Sequence, residues 1–154
     1  MTITDATRQH VRQRAKYLCE YCHSPEQIST SRFTIDHIKP RSLDGHDEVN
    51  NLALACSRCN QRRYNFTAGS DLETQAEVAL FNPRTQQWQE HFMWAEDGTK
   101  ILGVTPIGRA TCDRLDVNDQ RYQGERSIQE ARALWIKAGC HPPPDDPREM
   151  PSTI

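Results

Sequence analysis

The sequence predicts a small α+β protein in which short antiparallel strands and helices are held by a paired-cysteine staple. Three observations carry that expectation. Two Cys-x2-Cys pairs stand at Cys19/Cys22 and Cys56/Cys59. Between them, "RFTIDHI" alternates with period two and "NLALAC" forms a second short apolar run, as in a strand pair. Beyond them, capping-box and turn signals mark out a helix, a hairpin and a helix.

Taken in order, "DATRQHVRQRAKYL" lacks Gly and Pro and follows Thr4 and Asp5, which predicts a helix over about residues 6 to 18 running into the first cysteine pair. In "RFTIDHI", Phe33, Ile35 and His37 alternate with Thr34, Asp36 and Ile38, and Pro40 ends the strand. The polar run "RSLDGHDEVN" is a loop with an Asp44-Gly45 turn, "NLALAC" the second strand, and "SRCNQRRYNF" a helix leaving the second pair. The order is strand, loop, strand, helix over about residues 32 to 66.

Further on, Ser70 and Glu73 have capping-box spacing, which predicts a helix stopping near Pro83. Asp97-Gly98 lies between two apolar-rich arms and predicts a hairpin. Ser127 and Glu130 open a last helix that Gly139 closes. The Pro-rich, acidic tail from His141 is expected to be disordered. The expected organisation is a stapled motif over 1–66, an extension over 67–140 packed on it, and a tail over 141–154.

A chain of 154 residues suits one ordinary domain, and 36% hydrophobic residues imply a modest core that a metal would reinforce. No apolar run approaches the roughly 18 residues of a membrane span, and the N-terminus has no hydrophobic signal core. A cytoplasmic protein without a membrane partner is expected. The net charge of −2 hides an asymmetry: residues 1–66 carry ten Lys/Arg against seven Asp/Glu, and the remainder nine against fourteen. Contact with a polyanion is therefore expected in the first part, with Lys39, Arg41, Arg58, Arg62 and Arg63 as candidates. Arg8, Arg12 and Lys16 read as the solvated stripe of a helix.

In a reducing compartment the cysteine pairs read as metal ligands, and four thiolates favour a zinc ion. Four protein ligands leave no open position, so that zinc is structural. Cys112 and Cys140 have no such partner and are expected to pack. The chemistry falls to Asp36, His37, Asn51 and Asn60. One carboxylate and one amide oxygen, from Asp36 and Asn60, suit a hard cation such as Mg2+ or Mn2+. His37, on the other face of an extended strand, is free to take a proton from an attacking water, a task that suits imidazole near neutral pH.

The succession "CEYC", "DHIKP", "DG", "NNLALAC" and "CSRCNQRR" resembles the HNH endonuclease family in its four-cysteine form. The resemblance implies a ββα-metal motif, with His37 as general base, Asp36 and Asn60 as ligands of a catalytic metal, and Asn51 fixing the loop that orients the base. Arg63 falls where the family often has a Lys that contacts phosphate. DNA cleavage leaving 5′-phosphate and 3′-hydroxyl ends is implied. The chain departs from many relatives in having Asp44-Gly45 for Gly-Gly and Asn60 for His. The alternative is a zinc-stabilised nucleic-acid-binding module without catalysis, for which the cysteines and arginines suffice. Monomer and homodimer both stay open. Trp88, Phe92, Trp94 and Trp135 are expected to fill a core, while whether Arg84, His91 and Arg109 face DNA is left open by the sequence.

Overall fold

The computed structural model describes residues 3–120 and 126–149. The chain forms two compact units. The first holds the residues up to Thr67 together with Phe81–Gln86, and the second Ala68–Leu80 and the residues from Gln87 onward.

In the first unit, helix α1 (Asp5–Arg14) is capped by the Thr4 side chain, which accepts from the Thr7 amide. It ends sooner than its composition predicts, because Lys16 and Tyr17 both take left-handed conformations (φ 55° and 59°) that turn the chain into the first cysteine pair. Arg12, expected on a solvated stripe, is buried. Its guanidinium reaches Glu26 at 3.1 Å and donates to the Phe33 carbonyl at 2.9 Å, tying the helix to the next strand. Arg14 donates to the Val49 and Leu52 carbonyls.

Strands β1 (Thr34–His37) and β2 (Leu52–Ala55) pair antiparallel, with Thr34 opposite Ala55 and His37 opposite Leu52. Helix α2 (Ser57–Arg63) follows directly. The expected strand, loop, strand, helix order is present. The period-two reading fails at one place: Phe33 and Ile35 are buried as predicted, but so is Asp36 between them and His37. Its carboxylate has partners from elsewhere in the chain, given below.

The loop between the strands is pinned. Asp44 is left-handed (φ 66°), and a Cβ on Gly45 would lie 1.7 Å from the Lys39 carbonyl oxygen, so only glycine allows this closure.

The second unit departs further from expectation. The stretch after Ser70 is not a helix but a hairpin of β3 (Ala68–Ser70) and β4 (Glu77–Ala79). The buried carboxylate of Asp71 explains this: it accepts from the Glu73 amide and the Thr74 hydroxyl, closing a turn, and takes a two-point ion pair from Arg109. A one-turn helix α3 (Trp88–His91) leads into the hairpin expected around Asp97-Gly98, formed by β5 (Phe92–Trp94) and β6 (Ile101–Gly103). Gly98 there has φ +74°.

Helix α4 (Pro106–Leu115) was not anticipated, although Thr105 and Pro106 form an N-cap and first-turn pair. Helix α5 (Ile128–Lys137) begins at Ser127, whose side chain accepts from the Glu130 amide, as expected. The core of this unit gathers Trp88, Phe92, Trp94, Ile101 and Leu115, with Trp88 5.2 Å from Phe92 and 5.9 Å from Trp94 between ring centroids.

The tail corrects a second expectation. Residues up to 149 are held: the Trp94 amide donates to the Pro147 carbonyl, the Glu149 amide to the Trp94 carbonyl, and the Trp94 indole N–H to Asp146 at 3.0 Å. Residues 150–154 lie outside the described residues. Cys140 is exposed rather than packed, and Cys112 is half-buried. No described helix is long and apolar enough to cross a membrane.

Candidate active site and metal centre

The four cysteines converge. Cys19 and Cys22 flank a tight turn in which the Cys19 amide donates to the Ser24 carbonyl and the His23 amide to the Cys19 carbonyl. Cys56 is the N-cap of α2, its sulfur accepting from the Cys59 amide, and Cys59 lies in the first turn. Their Sγ atoms lie within 4.8 Å of one another, with Cys22 and Cys56 at 3.7 Å. A tetrahedral zinc with sulfur at about 2.3 Å requires sulfurs about 3.8 Å apart, so the cluster fits a structural zinc. All four are buried. Burial pushes the Cys19 thiol well up, and hydrogen bonds among the clustered thiols do the same for Cys59. Four thiolates so close and dry require a cation to stabilise them.

A cleft of about 270 Å³ opens beside this staple, lined by Asp36 and His37 of β1, Arg41 and Ser42 of the loop, Asn60 of α2, and Tyr64 just beyond it. Asp36 is buried beneath the cleft. One of its oxygens, Oδ2, accepts from the Tyr21 hydroxyl at 2.8 Å and from the Arg63 guanidinium at 2.8 Å. Among the described residues no hydrogen bond reaches Oδ1. Burial raises the Asp36 carboxyl above the usual range, against the pull of Arg63 and the Tyr21 hydroxyl. The Asn60 carboxamide makes no side-chain hydrogen bond among the described residues.

His37 is oriented from the loop. Its Nε2 lies 2.7 Å from Asp47 Oδ1, and Arg41 donates to that same oxygen at 2.9 Å. A carboxylate only accepts, so Nε2 carries the ring proton when the imidazole is neutral, leaving the Nδ1 lone pair available. The loop that carries Asp47 is in turn held by Asn51. That carboxamide accepts from the Lys39 amide and donates to the Lys39 and His46 carbonyls, clamping both arms of the loop.

Residues 19–66 match the family model described as HNH endonuclease. This segment is an HNH domain. No curated protein and no solved structure was found to match the chain. An HNH domain points to nuclease or other nucleic-acid-related activity.

Within the HNH domain, Asp36, His37 and Asn60 line one cleft, and Asn51 lies behind the loop that flanks it. The basic residues scatter. Arg41 lines the cleft and Lys39 is exposed on the loop, whereas Arg58 and Arg62 are half-buried on α2. Arg63 differs most from the sequence reading: it is buried, and it donates to Asp36 and to the His37 and Ile38 carbonyls. A guanidinium so engaged is a brace beneath the carboxylate, not a surface contact for phosphate. Arg84 pairs with Glu20, which accepts the Leu54 amide, and Arg109 pairs with Asp71, so neither is free to face DNA. His91 is bonded to the Thr105 hydroxyl.

Sequence reasoning missed three residues of the HNH domain. Tyr21 and Asp47 sit in positions where no local pattern distinguishes a buried or oriented side chain from a solvated one. Tyr64 is 70% exposed and has φ 47°, ψ −123°. With the Phe66 amide donating to the Arg63 carbonyl, it occupies the second position of a tight turn that normally takes glycine. Such a conformation costs of order 1–3 kcal/mol for a residue with a Cβ.

Proposed function

We propose that the HNH domain is a metal-dependent endonuclease hydrolysing DNA phosphodiesters, with His37 as general base. The observation that carries this reading is the Asp47–His37 pair: an imidazole fixed at Nε2 and open at Nδ1, in the same cleft as two uncommitted oxygen donors. In the reaction, Nδ1 of His37 takes a proton from water as the water oxygen bonds to phosphorus. The P–O3′ bond breaks with its electron pair going to O3′, which takes a proton from solvent water and leaves as a hydroxyl, and the new 5′ end keeps the phosphate.

Asp36 Oδ1 and the Asn60 amide oxygen would hold a single Mg2+ or Mn2+, which when bound offsets charge on the leaving oxygen. The donors suit such an ion, being hard oxygens free of other hydrogen bonds among the described residues. Tyr21 and Arg63 hold the Asp36 carboxylate in place from below. Arg41 lines the cleft, where it can meet phosphate without leaving Asp47, since its side chain is half exposed, and Lys39 is exposed on the same loop.

Plasmid cleavage tests the reading. The zinc-loaded protein is expected to nick or linearise plasmid with Mg2+ or Mn2+ and to stop when these are chelated. His37→Ala is expected to lose at least about a hundredfold in cleavage while DNA affinity is kept. If wild type and variant bind DNA equally and neither cuts any form of it, the non-catalytic binding module is the correct account.

A further inference from the structure

We propose that Tyr64 is a stacking platform for one unpaired DNA base beside the scissile phosphate, so that the cleft favours DNA carrying unpaired bases over intact duplex. The proposal rests on the nuclease reading above.

Three observations lead to it. Tyr64 lines the same cleft as His37 and Asn60, standing at the C-cap of α2 four residues beyond the candidate metal donor. The residue is 70% exposed, and its hydroxyl has no hydrogen bond among the described residues, so neither packing nor a polar contact accounts for an aromatic here. Its backbone occupies a conformation that glycine adopts without strain (φ 47°, ψ −123°).

A turn of this kind needs no side chain, and the strained backbone is held by the amide hydrogen bonds of Tyr64 to Asn60 and of Phe66 to Arg63. Strain kept where a glycine would relieve it points to a role for the side chain. The chemistry suits a nucleobase: a flat, amphipathic ring lining the cleft stacks on any base that leaves the helix, whatever its identity. Bases within a duplex are already stacked and gain nothing from it. Asn65, next along the turn, also lines the cleft and offers donors and acceptors to an exposed base edge.

The test uses the full zinc-loaded chain in a His37→Ala background, binding a short labelled duplex and the same duplex with one unpaired 2-aminopurine. Tyr64→Gly is expected to raise the melting temperature. It should also weaken binding of the bulged probe on the order of tenfold, abolish quenching of the 2-aminopurine, and leave affinity for the intact duplex unchanged. Tyr64→Phe should retain both binding and quenching. Equal affinities for both probes in Tyr64→Gly and its parent, or an equal loss on both, would overturn the base site. If the protein with His37 intact cuts plasmid while Tyr64→Gly and wild type cleave bulged and intact DNA alike, the nuclease reading survives and this proposal falls. If the parent binds neither probe and wild type cuts nothing, both fall together.

Discussion

At the residue scale, the contact with Asp47 fixes the His37 imidazole that lines the cleft. Asp36 and His37 are neighbours in β1, yet their surroundings are opposite. The carboxylate accepts from Tyr21 and Arg63, while the imidazole leans on a loop carboxylate that Arg41 also grips. Asp47→Asn keeps the size of the side chain but offers either an acceptor or a donor to Nε2, so the ring loses its fixed tautomer. Its kcat is expected to fall on the order of tenfold or more with little change in KM, and Asp47→Glu to recover part of it, read from single-substrate cleavage kinetics. A loss confined to KM would assign Asp47 to substrate binding instead. Arg63 illustrates the converse: a basic residue counted from sequence as a phosphate contact is engaged internally by a carboxylate and two carbonyls.

At the scale of elements, the β1–β2–α2 unit is small, and the cysteine cluster ties its β2–α2 junction to the turn that follows α1. Cys56 serves twice, as a member of the cluster and as the N-cap of α2. Cys56→Ser separates those roles, because serine is itself a good N-cap and a poor zinc ligand. The variant is expected to release zinc and to lose the ellipticity of the first unit, since metal binding and folding are one equilibrium in such sites. Zinc content and far-UV circular dichroism check this; a folded variant that keeps its zinc would remove the metal clamp from the account. The β3–β4 hairpin shows how an element can be decided away from its own residues. Ser70 and Glu73 have the spacing of a helix start, but the adjacent Asp71 is committed to Arg109 on α4 and to the turn it closes.

At the scale of the molecule, the chain divides into two units with separate cores, and all three tryptophans lie in the second. Their emission therefore follows that unit alone. Arg109 and the turn donors hold the Asp71 carboxyl far below the usual carboxylate range. The stability this adds is complete above the unfolded value of about 4 and is lost as pH falls below it toward the folded value. Trp-monitored denaturation is thus expected to show a stability that drops as pH is lowered beneath about 4, and Asp71→Asn to flatten that slope. Matching slopes in the two proteins would contradict the assignment of this ion pair.

The sequence by itself determined the chemistry that spacing encodes: the cysteine quartet, the strand and helix order around it, the Asp97-Gly98 hairpin, and the residues grouped in the cleft. These are legible because a knuckle, a tight turn and a period-two strand each act over a few consecutive residues. Only the tertiary structure decided that Asp36 is buried, that Arg63 braces it, that Asp47 orients His37, that residues 70–79 form a hairpin, and that the tail up to 149 pairs along β5. Each depends on a partner ten or more residues away, and no local pattern distinguishes a charged side chain that will meet its counterpart across the fold from one that will remain in water.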